Sequence, residues 1–142
     1  MSGDAAMRGF PFSCPIELRY SDVDAMNHVN NATYVTFLET ARVGLWRKHF
    51  AYVGSARDIP FIVARVAVDY RSPIGFEEPV AVGVGVKRIG HSSFTLVYRV
   101  EASGRLAAEA ETVQVMYDYR ERRPVPIEGE LRRTLESLLL PA

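Results

Sequence analysis

Hydrophobic and polar residues recur along this chain with two periods, and the switches between them divide it into elements. From Pro15 to Tyr20, Ile16, Leu18 and Tyr20 alternate with Glu17 and Arg19, the period-two pattern of a half-buried strand. Residues 22–31 are turn and cap formers, and Asn30 or Asn31 is suited to accept the first free amides of a helix. From Ala32 to Phe50 the period becomes helical. Tyr34, Phe37, Leu38, Ala41 and Leu45 fall within one third of a helical wheel, and Val35, Val43, Trp46 and Phe50 widen the stripe. Thr36, Thr40 and Arg47 are left as the clearly polar side, which predicts a long helix covered on more than one face. Glu39 and Arg42 stand three apart, the spacing of a surface ion pair.

After Gly54 and Pro60 the period returns to two. Ile62, Ala64, Val66, Val68 and Tyr70 alternate with Val63, Arg65, Ala67, Asp69 and Arg71, until Ser72-Pro73-Ile74-Gly75 breaks the run. Val80, Val82, Val84 and Val86 then alternate with Ala81, Gly83, Gly85 and Lys87. That strand has one branched face and one nearly bare face, and strand glycines mark a close backbone approach or a bulge. A third strand carries Phe94, Leu96, Tyr98 and Val100. The last, Leu106 to Asp118, slips in pattern: Glu109 and Glu111 share a face with Val113, Val115 and Tyr117, while Gln114 falls among Ala108, Ala110 and Met116. A bulge or an oligomer contact is expected there. Leu131, Leu135, Leu138 and Leu139 place a short amphipathic helix over Glu130 to Leu140. The order of strand, long helix, four strands and short helix predicts an α+β domain with an antiparallel sheet covered by the long helix.

Composition narrows the function classes. A chain of 142 residues, 48% of them hydrophobic, fits a single domain, read as 15–142 behind a flexible N-terminal tail, 1–14. Seventeen basic residues balance 17 acidic ones, which argues against a nucleic-acid partner held by bulk charge. Cys14 is the only cysteine, so no intrachain disulfide or cysteine metal cluster can form. No apolar stretch approaches a membrane span, and the expected setting is cytoplasmic.

The candidate chemistry is packed into the loop before the long helix. A helix N-terminus offers unpaired amide hydrogens and partial positive charge, able to hold an oxyanion or polarise a carbonyl. Asp24, a few residues upstream, can attack a carbonyl or activate water. The competing structural reading is that Asp22 and Asp24 form local side-chain turns and the asparagines only cap the helix.

The run Asp22-Val23-Asp24-Ala25-Met26-Asn27-His28-Val29-Asn30-Asn31, followed by Tyr34, Phe37 and Glu39-Thr40-Ala41-Arg42, resembles the signature of the 4-hydroxybenzoyl-CoA thioesterase family of the hot-dog fold. Val68-Asp69-Tyr70-Arg71-Ser72-Pro73-Ile74, the turn from Lys87 to Phe94 and the ending Tyr117-Asp118 extend the resemblance over nearly the whole chain. It implies a hot-dog fold, in which an antiparallel sheet wraps the long helix. Subunits would join sheets side by side as a homodimer or homotetramer with sites at the interface.

It further implies hydrolysis of an acyl-CoA without cofactor or metal. Asp24 would be nucleophile or general base, the amide near Asn31 would polarise the thioester carbonyl, and His28 would lie beside or orient the acyl group. Lys87, Arg88, Ser92 and Ser93 would hold the CoA, from the same or a neighbouring subunit. Glycine is the commoner residue at the position of Asn27, and asparagine is suited to replace it because it tolerates positive φ. Some relatives use a helical acid, for which Glu39 is the candidate here, ranked below Asp24. An acyl-carrier-protein thioesterase, a hot-dog hydratase or dehydratase, and a non-catalytic acyl-CoA-binding protein are the alternatives.

Overall fold

A computed structural model of the chain describes residue 7 and residues 9–50 and 61–141. The break expected at Gly54 and Pro60 lies outside the described residues. The elements run β1 (Phe12–Ile16), a 3-10 turn (Tyr20–Asp22), α1 (Thr33–His49), β2 (Phe61–Tyr70), β3 (Val80–Ile89), β4 (Ser93–Ala102), β5 (Arg105–Asp118), β6 (Arg123–Pro124) and α2 (Gly129–Ser137). Strands β1 to β5 form one antiparallel sheet in the order β1-β3-β4-β5-β2, with β6 paired to the end of β5. The segment containing α1 thus links the two edges of the sheet.

The helical stripe and the valine face of β3 meet as expected. Phe37, Leu38, Ala41 and Leu45 are buried with Val82, Val84, Val86, Leu96 and Val100 in one core between α1 and the sheet. Trp46 closes its end in an aromatic cluster with Phe50, Phe61 and Phe94. The bare face of β3 is a seat for the chain ends. A Cβ on Gly83 would lie 2.7 Å from Met7 Sδ, and one on Gly85 would lie 2.6 Å from Leu140 Cδ2 and 3.0 Å from Pro11 Cδ. Gly85→Val is therefore expected to cost about 1–3 kcal/mol by overpacking, seen as a lower urea midpoint.

Three sequence expectations shift. First, β1 spans Phe12–Ile16 rather than reaching Tyr20, so residues 12–14 belong to the sheet and not to a tail. Beyond Ile16 the backbone amide and guanidinium of Arg19 both bond the Asp22 carboxylate, curling Tyr20–Asp22 into a 3-10 turn. Second, α2 ends at Ser137. Leu138 and Leu140 leave the helix to bond Val86 on β3, where β1 no longer covers it. Third, the irregularity expected in β5 falls at Ala107, which is skipped between the partners of Val100 and Glu101, and not near Gln114; β2 and β3 also slip in register, between Val63 and Arg65 and between Val86 and Arg88. Gln114 stays on the buried face, with its amide bonded to the carbonyls of Phe94 and Thr112.

The Glu39–Arg42 pair does not form among the described residues. Arg42 is buried and donates to Tyr98 Oη at 3.2 Å, and Tyr98 shares a 2.6 Å hydrogen bond with Thr112 Oγ1. Arg42 therefore ties α1 to β4 and β5, and Glu39 is left exposed. The Cys14 thiol sits on β1 opposite Val82, and burial pushes its pKa up, as suits a small apolar residue.

Candidate active site

The loop from Asp22 to Asn31 is folded by its own polar groups. The carboxyl of Asp22 is buried. Burial alone would raise its pKa, but the side-chain and backbone bonds from Arg19 outweigh this and hold it below the ordinary carboxylate range. Asp22 also accepts the Asn30 amide on its carbonyl at 2.8 Å, closing the loop. It is a structural acid. Asp24, two residues on, is exposed, and its Oδ1 accepts the amides of Met26 and His28 at 2.9 and 3.3 Å. Its backbone bonds His28 and Asn27, so residues 24–28 form a tight turn.

Asn27 stands at the crest of that turn with φ of 61°. This is the left-handed region that asparagine tolerates, and the reason it can stand where glycine is commoner. Asn27→Gly is expected to leave stability and turnover near wild type. Asn27→Val would cost about 1–3 kcal/mol of strain and release the turn that aims Asp24. Urea unfolding and turnover measured on both variants check this.

Helix α1 begins immediately after. The N-cap, Ala32, has no side-chain cap of its own; Asn30 turns the chain into the helix, taking the Ala32 amide on its side chain at 2.9 Å and the Thr33 amide on its carbonyl at 2.9 Å. Neither bond uses the Asn31 amide. Tyr70 at the end of β2 donates its hydroxyl to the Asn31 carbonyl at 2.7 Å and packs edge-on against Tyr34, 5.0 Å between centroids. The first turn of α1 is thereby pinned to the sheet.

These groups converge. Asp24, His28, Val29, Asn31, Tyr34, Tyr70, Arg71, Ser72 and Pro73 line one cleft of about 300 Å³. The three residues singled out for chemistry, Asp24, His28 and Asn31, lie together in it. Tyr70 to Pro73 complete the lining; they fall in the run Val68 to Ile74 that carries part of the family resemblance, and nothing in their local pattern marks them as site residues. A second cleft, lined by Phe10, Arg65, Asp69, Arg99 and Glu111 among others, holds ion-paired side chains and none of the loop residues.

Lys87, Arg88, Ser92 and Ser93 are not in the Asp24 cleft. They lie at the β3–β4 turn, whereas the segment stitched to the Asp24 loop, Ile74 and Gly75, enters β3 at its other end. Nine residue steps from Val80 to Ile89 put about 30 Å between the ends of that strand. Lys87 bonds Glu111 at 2.7 Å, and Arg88 is exposed. Glu39 does not line the cleft either. Among the described residues no group of three or more His, Cys, Asp or Glu side chains could hold a metal ion. No helix of the described residues is long and apolar enough to cross a membrane.

A family model for the thioesterase-like superfamily matches residues 18–135, which spans the Asp24 loop, α1, β2 to β6 and most of α2. The chain belongs to this superfamily. It is a hot-dog protein and a thioester hydrolase. The long-chain acyl-CoA thioesterase FadM of Escherichia coli is 31% identical over 127 residues, 87% of this chain and 96% of that protein. The acyl-CoA thioester hydrolase YbgC of Escherichia coli is 28% identical over 116 residues, 80% of this chain and 87% of that protein. A thioesterase of Thermus thermophilus, solved in complex with coenzyme A and zinc, superposes with a TM-score of 0.85 at 32% identity. That match covers 93% of this chain and 96% of the other. For this thioesterase-like chain, the structure supplies the carboxylate and the helix terminus in one cleft.

Proposed function

We propose that the protein hydrolyses an acyl-CoA thioester to the free acid and CoA in the cleft before α1. The observation that carries this reading is the convergence of the Asp24 carboxylate and the Asn31 helix terminus on one cavity. Oδ1 of Asp24 is held by two backbone amides, and in this reading the second oxygen is the one that reacts. Either it attacks the carbon, expelling the CoA thiolate and leaving an anhydride that water opens, or it takes a proton from an attacking water. In both routes negative charge builds on the carbonyl oxygen, where amides at the start of α1 stabilise it; loss of one such donor costs about a hundredfold or more in rate. His28 borders the same space and orients the acyl group. The relatives named as acyl-CoA thioesterases support CoA as the carrier.

The active unit in this reading is a homodimer, or a homotetramer built from such dimers. β2 is an edge strand, and Val63, Val66 and Tyr70 on it are each more than 40% exposed. A second copy joined there would cover them. It would also explain how a CoA-binding turn at Lys87, Arg88, Ser92 and Ser93 can serve a cleft at the other end of the sheet. A carrier-protein thioesterase would use the same chemistry. Presenting one acyl group on CoA and on acyl carrier protein separates the two: kcat/KM is expected to be higher for CoA, and the reverse order would favour the carrier protein.

A further inference from the structure

We infer that Arg105 and Glu78 are positioning residues for hydrolysis, forming a clamp that sets the wall to which the Asp24 loop is stitched. The inference rests on Asp24 being the reacting carboxylate. Arg105 begins β5, next to the turn that joins it to β4. Its Nε donates to Ser72 Oγ at 3.2 Å, Nη1 to a Glu78 carboxylate oxygen and to the Ala102 carbonyl at 3.3 Å, and Nη2 to the Pro73 carbonyl at 2.5 Å and to Glu78 Oε2 at 2.9 Å. All five N–H groups of the guanidinium are used. Glu78 in turn accepts the Gly75 amide at 2.7 Å and the Ser103 hydroxyl at 3.0 Å. Ser72 donates onward to the Leu106 carbonyl at 3.0 Å.

The segment from Ser72 to Glu78 is therefore fastened to the β4–β5 hairpin at three of its residues, Ser72, Pro73 and Glu78. Its free side meets the reacting loop. The Ile74 carbonyl accepts the Val29 amide at 2.8 Å, and Gly75 forms a β-bridge with His28. Ser72 and Pro73 are themselves cleft wall. A displacement of this segment moves His28 and Val29, and with them the turn that holds Asp24.

An ordinary exposed ion pair contributes about 0–1 kcal/mol to stability and nothing to a reaction. Two features set this one apart: the carboxylate is gripped at both oxygens, and the partners join three chain segments rather than two side chains. The bonds from Arg105, then from the Gly75 amide, hold the Glu78 carboxyl down to about 2, so the clamp stays charged from neutral pH well into the acid range. The pair is separated by 27 residues, and neither side chain belongs to the motif.

The test uses Arg105→Gln, Arg105→Lys and Glu78→Gln, with hexanoyl-, palmitoyl- and benzoyl-CoA as probes and the best of these for full kinetics. In all three, kcat is expected to fall at least about tenfold, because misplacing a reacting group by about 1 Å can cost a hundredfold. KM is expected to stay within about twofold, since the clamp touches no CoA group in this reading. Arg105→Lys should not rescue, because an ammonium cannot reproduce the planar fork. Amide hydrogen exchange should quicken at Val29 and Gly75 and stay unchanged at Val82 and Val84 in β3. A kcat within twofold of wild type, or a raised KM at constant kcat, overturns the inference. So does a uniform rise in exchange, which would mark a purely structural role. If Arg105→Gln does not fold, Glu78→Gln decides on the same readouts. Asp24→Asn is assayed alongside. Full turnover by that variant would sink the carboxylate reading, while the exchange at Val29 still reports whether the clamp holds the loop.

Discussion

Asp24→Asn is expected to lower turnover by about 10²- to 10⁴-fold while leaving the fold and the loop intact. The geometry separates the two effects. Asp24 holds the Met26 and His28 amides through Oδ1, and the amide oxygen of asparagine can accept the same two bonds. What asparagine lacks is the anionic second oxygen that attacks carbon or takes a proton from water. Substrate binding should therefore persist with KM little changed, while kcat collapses. The equivalent change at Asp22 behaves differently. Asp22→Asn weakens the bonds from Arg19 that fold the 3-10 turn, so it is expected to lower stability as well as activity.

The second large effect is expected from mixed dimers. Arg88→Glu alone should reduce kcat/KM by about ten- to hundredfold, the cost of replacing a charge-assisted phosphate contact by repulsion. The Asp24 cleft and Arg88 lie near opposite ends of β3 in one subunit, so a working site in this account takes each from a different copy. A heterodimer of an Asp24→Asn chain and an Arg88→Glu chain then has one site with both residues intact and one with neither. It is expected to recover about half of wild-type activity, as two-fold symmetry requires. Differently tagged chains purified as the mixed dimer supply the measurement. Two substitutions placed in the same chain and paired with a wild-type chain leave each site with one defect and recover far less. The reverse order, in which the doubly substituted chain paired with wild type recovers about half and the heterodimer far less, would show that each site lies within one subunit.

Much of this was legible in the residues. The wheel of α1, the valine face and bare face of β3, and the β3-β4-β5 hairpins follow from periods of 3.6 and two, and the structure repeats them. The loop was legible as chemistry because turn formers, two acids and asparagines stand directly before a helical period. What alternation could not show was decided by single side-chain bonds. Arg19 and Asp22 ended β1 early by giving the backbone a local alternative to the strand. The extra residue at the β2 bulge brings Phe61 and Val63 onto the face of Val66, Val68 and Tyr70, where strict alternation puts them opposite. Arg42 chose the buried Tyr98 hydroxyl over Glu39, since helical spacing says which residues are neighbours and not which face the core. The Arg105–Glu78 clamp joins residues far apart in the chain, and no local pattern marks it.

The same bonds give the three carboxylates different surroundings. Asp22 is occupied by Arg19, Glu39 is exposed outside the cleft, and Asp24 lies in the cleft. The local turns that formed the competing reading of the loop are real, and Asp24 makes its turn through Oδ1.

The central claim is that this cleft hydrolyses acyl-CoA through Asp24. Its most direct measurement is the release of free thiol from short, long and aromatic acyl-CoAs by the wild-type protein and by folded Asp24→Asn protein at equal concentration. The account predicts release by the wild type on at least one acyl group and its near loss in the variant. No release from any acyl-CoA, or equal release by both proteins, would contradict it.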